Sequence, residues 1–133
     1  MIGWRAILAA AALALPSLAL ADPCEAPLPA PNTRFEGPVR YVGDGDSLCV
    51  GPTSDPSTWI EVRLSDFYAP ELHDAGGRQA KSRLEDVVWR QYLSCRALKH
   101  SYDRVVARCT IGGAAVGDLL RARGGVEGGR GRR

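Results

Sequence analysis

The stretch YLSCRALKHSYDRVVARCTI, residues 92–111, decides how the chain folds. It contains two strand-like runs, YLSCRAL and VVARCTI, joined by KHSYDR. If the runs pair antiparallel with Cys95 opposite Cys109, Leu93 falls opposite Ile111 and Ala97 opposite Ala107. Small and apolar residues then share one sheet face, as a buried face requires. Directly opposed strand residues lie roughly 4.5–5.5 Å apart, within reach of a disulfide. Closing so short a loop contributes ~3 kcal/mol at most. Two further cysteines, Cys24 and Cys49, pair by elimination and would staple the N-terminal segment to a strand. No C-x-x-C spacing is present, so disulfides are expected rather than a cysteine metal site.

Towards the N-terminus, TRFEGPVRYVGDGDSLCVGP reads as two short strands around a Gly-Asp turn, with Phe35, Val39, Val42, Leu48 and Val50 as apolar members. WIEVRL alternates, placing Ile60, Val62 and Leu64 on one face and Trp59, Glu61 and Arg63 on the other. Over residues 79–90 the period changes. Ala80, Leu84, Val87, Val88 and Gln91 recur at helical spacing. GAAVGDLLRARGG offers a short second helix carrying Val116, Leu119, Leu120 and Arg123, with Gly124 as its stop signal. The order is three strands, a helix, two strands, a helix. This predicts an α+β, mainly β domain: a small five-stranded barrel of the OB type, with a helix inserted before strand 4 and a short C-terminal helix.

The flanks differ in character. Residues 1–21 carry one early positive charge, Arg5, then an apolar run and the small-residue end ALA, the layout of a secretory signal peptide cleaved after Ala21. Pro16 interrupts the run, and spanning a bilayer takes roughly 20 apolar residues. A soluble product without a membrane segment is therefore expected, secreted or periplasmic. Residues 22–34 hold four of their prolines in the eleven-residue run DPCEAPLPAPN and are expected to form an extended leader, not a packed element. Residues 35–125 form the domain, and residues 126–133 a mobile basic tail. The chain has 17 basic and 15 acidic residues. That balance does not mark a strongly basic nucleic-acid binder, so any anion must be held by a local cluster.

Four pieces carry possible chemistry. GDGDS, residues 43–47, sets two carboxylates in a Gly turn, and hard cations favour carboxylate and carbonyl oxygens on a bendable backbone. Arg63 ends the WIEVRL strand, and its fork can grip phosphate bidentately. In APE, Pro70 fixes the backbone before Glu71, a carboxylate able to act as general base on water. YDR, residues 102–104, brings a second guanidinium in the turn between the paired strands. Two arginines with a cation can neutralise the charge that builds on a pentacovalent phosphorus.

Together and in this order, DGDSLCV, RLSDFYAPE, the helix and SYDRVVARC resemble the staphylococcal nuclease (thermonuclease) family. That family's pattern runs D-G-D-[TS], then R-L-x-x-[IV]-D-x-P-E, a helix, and D-x-Y-G-R. The resemblance covers about residues 37–125 and implies a five-stranded OB barrel. It implies a calcium-dependent nuclease that hydrolyses the phosphodiester bonds of DNA and RNA. Asp46 and the Ala69 carbonyl would bind calcium, with Asp44 in support. Glu71 would orient or deprotonate the attacking water. Arg63 and Arg104 would hold the scissile phosphate. Tyr102 would lie beside the nucleotide's phosphate, with Tyr68 also at the substrate. The partner expected is nucleic acid, with the chain acting as a monomer.

Three departures accompany the match. Tyr68 stands where the family has a second calcium carboxylate, and a phenol with a reference pKa ≈ 10 is a poor hard-cation ligand, so calcium would be held weakly. Asp66 has the same strand parity as Tyr68 but lies roughly 6.6–7 Å along the chain. Asp103 replaces the family's Gly before Arg104. The family's last strand segment and C-terminal helix have no counterpart after LLRARGG. These departures define an alternative, a non-catalytic OB module that binds nucleic acid or another anionic ligand through its arginines.

Overall fold

A computed structural model describes residues 22–128. The expected signal peptide and residues 129–133 of the basic tail lie outside them. Six strands and two helices follow in the order β1 (Arg34–Asp44), β2 (Ser47–Val50), β3 (Ile60–Leu64), α1 (Gly77–Val88), β4 (Tyr92–Ser101), β5 (Arg104–Ile111), β6 (Ala114–Ala115) and α2 (Val116–Ala122). Antiparallel pairs join β1 to β2, β2 to β3, β1 to β4 and β4 to β5, and a parallel pairing of β3 with β5 closes the five-stranded OB-type barrel. The two-residue β6 adds to the free edge of β5, after a turn in which Gly112 and Gly113 both take positive φ. It occupies residues assigned to the second helix by sequence alone, so that helix begins at Val116.

The β4–β5 register places Cys95 opposite Cys109 and Ala97 opposite Ala107, as expected, and both disulfides form as paired above. Register shifts in β1 between Val39 and Tyr41 and between Val42 and Asp44 mark where the strand bends to follow the barrel. The core is filled by Leu48, Val50, Val62, Leu64, Leu93, Ala97, Val105 and Ala107 from the strands, joined by Leu84 and Val88 of α1 and by Val116 and Leu120 of α2.

The structure departs from the sequence expectations at the first helix and at the leader. The first helix runs over residues 77–88 rather than 79–90. Trp89 turns extended, Arg90 adopts φ 63°, and Gln91 is exposed at the approach to β4. The leader is extended but does pack. Glu25 N–H donates to Pro56 O, Ala26 N–H to Trp59 O and Asn32 N–H to Ala97 O, and Leu28 lies against the core. Hydrogen bonds to strand and loop backbone substitute for the regular structure that its prolines preclude.

Candidate active site

The turn between β1 and β2 is built on Asp44. Its Oδ1 accepts from Asp46 N–H at 3.0 Å and from Ser47 Oγ at 2.7 Å. This is the local side-chain bonding that suits Asp to tight turns. Asp46 is only 5% exposed. Its carbonyl accepts from Leu64 N–H at 2.8 Å, and its Oδ2 accepts from Ala69 N–H at 3.2 Å. One residue therefore ties the turn to the end of β3 and to the loop that carries Pro70 and Glu71. Gly45 allows the close approach, since a Cβ there would sit 2.5 Å from the Ala69 Cβ and 2.6 Å from the Ala80 Cβ.

Arg63 pairs with Ser47 across the β2–β3 ladder and with Val106 across β3–β5. It is half-buried, and its Nε is buried with no hydrogen-bond partner among the described residues. Arg104 opens β5, and its charge acts on both Asp44 and Glu61. For Asp44, burial raises the carboxyl pKa. Hydrogen bonds with Asp46 and Ser47, and then the Arg104 charge, outweigh it and hold the group below its ordinary value.

Tyr102, at the tip of the β4–β5 hairpin, is 94% exposed with φ 57°. Asp103 beside it is exposed as well. Glu71 is exposed in the loop before α1, and among the described residues its side chain makes no hydrogen bond or ion pair. Tyr68 is half-buried. Its N–H donates to Glu127 Oε1 at 3.1 Å, and its carbonyl accepts from Gly128 N–H at 3.1 Å. Residues 127 and 128 are thus fastened to the site loop rather than loose. Asp66 does not compensate for Tyr68. Its Oδ2 accepts from Gly117 N–H at 3.1 Å, at the start of α2, where the helix dipole favours a carboxylate.

Sequence alternation groups Glu61 with Arg63 but gives no sign that it is covered. It is 5% exposed. Burial pushes its carboxyl pKa up to about 8, helped by a hydrogen bond to the Asp22 side chain and by the charges of Asp22 and Asp103, against the opposing pull of Arg104. The cause is local and traceable. Glu61 stands opposite Cys49 on β2, and the Cys24–Cys49 disulfide draws Asp22 over it. Tyr41 joins the group through a hydrogen bond to Asp22, and burial raises its phenol pKa.

The donor set for a cation consists of Asp46 and Asp44, two neighbouring carboxylates in a covered turn, tied by the hydrogen bond that Asp46 N–H donates to Asp44 Oδ1. Such a pair concentrates negative charge that a divalent ion would relieve. Among the described residues, no group of three His, Cys, Asp or Glu side chains converges to hold a metal. Two carboxylates are fewer than the roughly 6–8 oxygen ligands a calcium ion takes, so backbone oxygens and water would have to supply the rest. Among the described residues, no helix is long and apolar enough to cross a membrane. Comparison with protein-family models and with curated proteins returns no match.

Proposed function

We propose that the chain is an exported, calcium-dependent nuclease of the staphylococcal nuclease type, hydrolysing phosphodiester bonds of DNA or RNA. The observation that carries this reading is the buried, unpartnered Nε of Arg63 beside the acidic turn. A buried donor without an acceptor costs about 1–3 kcal/mol, and a phosphate oxygen would satisfy it. Arg63 and Arg104 would bind the phosphate and balance the charge that grows on its oxygens. Glu71 would take the proton of the attacking water. Glu61, neutral below about pH 8, keeps its negative charge away from Arg104 in that range. Asp46 and the Ala69 carbonyl, with Asp44 behind them, would hold calcium, which when bound supplies Lewis-acid polarisation of a phosphate oxygen. Two disulfides support an oxidising compartment, outside the cell or periplasmic.

One observation favours the second reading, a non-catalytic OB module for an anionic ligand. No neighbour among the described residues orients the Glu71 side chain. Incubating the oxidised protein with single-stranded DNA, with calcium and with chelator, separates the two. The nuclease reading expects cleavage only with calcium. Salt-sensitive binding without cleavage, weakened by Arg63→Ala, selects the module.

A further inference from the structure

The strand registers place three arginines in one line. Arg34 on β1 lies opposite Arg96 on β4, and Arg96 lies opposite Arg108 on β5. All three are exposed on the outer face, while the neighbouring Cys95–Cys109 pair points inward, as strand alternation requires. Adjacent strands are 4.7–4.9 Å apart, so the row spans about 10 Å. Like charges directly opposite each other destabilise a sheet. Among the described residues none of the three has a hydrogen bond or ion pair, and Glu36, the acid on the same face, is hydrogen-bonded with Tyr92. The three arginines line one shallow depression of about 560 Å³, with the neighbouring Ser94 and Thr110 pair and Leu98 beside them. In a chain with formal net charge of only +2 this is a pronounced local concentration.

We propose that the row is a binding track for the phosphate backbone of single-stranded nucleic acid. Three exposed guanidinium groups in one line complement a polyanion whose phosphates recur at short intervals. Arg104 shares a parity with Arg108 on β5, four residues or roughly 13 Å of strand away, but the buried Val106 lies between them on that face. The track therefore consists of Arg108, Arg96 and Arg34, and is separate from Arg104. The proposal rests on the nuclease reading only in taking the bound polyanion to be that enzyme's nucleic acid.

The test is a binding titration of the full oxidised chain with labelled oligothymidylate in chelator, repeated across a salt series. Arg34→Gln/Arg96→Gln/Arg108→Gln is compared with wild type and with Arg78→Gln on α1. Each lost phosphate contact lowers the slope of log affinity against log salt by about 0.7, so the triple variant loses about 2 from its slope. Over a fourfold rise in salt the wild type then sheds about 20-fold more affinity than the variant. An unchanged slope overturns the proposal. So does an equal change in Arg78→Gln, which would reflect overall charge alone. Loss of binding to phosphatidylglycerol vesicles with an intact oligonucleotide slope overturns it in favour of a lipid surface. Thermal melting checks the fold, and if the triple variant melts low, Arg96→Gln alone is expected to lose about 0.7. Because cleavage is absent in chelator, a track without nuclease activity and a nuclease without a track give different results.

Discussion

Arg63 and Ser47 face each other across the β2–β3 ladder, and the Arg63 Nε is buried with no acceptor among the described residues. An unsatisfied donor of this kind lowers stability by about 1–3 kcal/mol. Arg63→Met, which keeps the stem and removes the donor, is expected to melt at or above wild type. The same variant is expected to lose about 10²–10³ in kcat/KM on single-stranded DNA, the scale for removing a donor to a charged transition state. A variant that is less stable and equally active would make Arg63 a packing residue.

Glu61 and Asp44 set opposite arms of the pH profile. The folded pKa of Glu61 is raised from its ordinary 4.5 to about 8, so its contribution is fully present below the ordinary value and is lost as pH rises through about 8. Asp44 is shifted down, so its contribution is present above its ordinary value and lost as pH falls through the folded one. Glu61→Gln is expected to flatten the alkaline arm, gaining roughly 1–3 kcal/mol over wild type above pH 8 in denaturant titrations. It is also expected to remove any alkaline loss of substrate affinity at Arg104. An unaltered alkaline arm would mean that Glu61 is already ionised in the folded protein near neutrality.

Tyr68 adjoins the Asp46–Ala69 contact through the chain, and a carboxylate there adds an anionic ligand. Tyr68→Asp is expected to raise calcium affinity about tenfold or more by calorimetry, because charge count tunes such sites. Unchanged affinity would place residue 68 away from the metal.

The Cys95–Cys109 bridge joins directly opposed residues with Cα atoms 4.1 Å apart, under the barrel wall that carries Arg96 and Arg108. Replacing both cysteines by Ala is expected to cost up to ~3 kcal/mol from loop entropy. It also leaves underpacked volume, read as a lower denaturant midpoint. A midpoint equal to wild type would show that the β4–β5 pairing needs no covalent support.

Local regularity made the barrel legible. The inward positions 95, 97, 107 and 109 are small or apolar, so the β4–β5 register follows from one assumed pair. The helical face of Ala80, Leu84, Val87 and Val88 is equally local, and all four are buried. The boundary after Val88 was not legible, because the backbone of Trp89 and Arg90 answers to the path into β4 rather than to periodicity. Glu61 looks solvent-facing until a disulfide between residues 25 positions apart brings the leader over it. The arginine row is spread over three strands and is joined only by register, so no window of sequence contains it. Asp66 has the parity of a metal ligand, yet its carboxylate is committed to Gly117 at the start of α2.

The most direct test concerns Glu71, the residue asked to activate water and the one the described neighbours leave unoriented. The measurement is the single-turnover rate of cleavage of labelled single-stranded DNA by oxidised wild type and Glu71→Gln at saturating calcium. Wild type is expected to cleave only with calcium and the variant to lose about 10²–10⁴ in rate, the range for removing a general base, with DNA affinity in chelator unchanged. Cleavage by the variant at the wild-type rate, or cleavage that persists in chelator, would contradict the proposed mechanism.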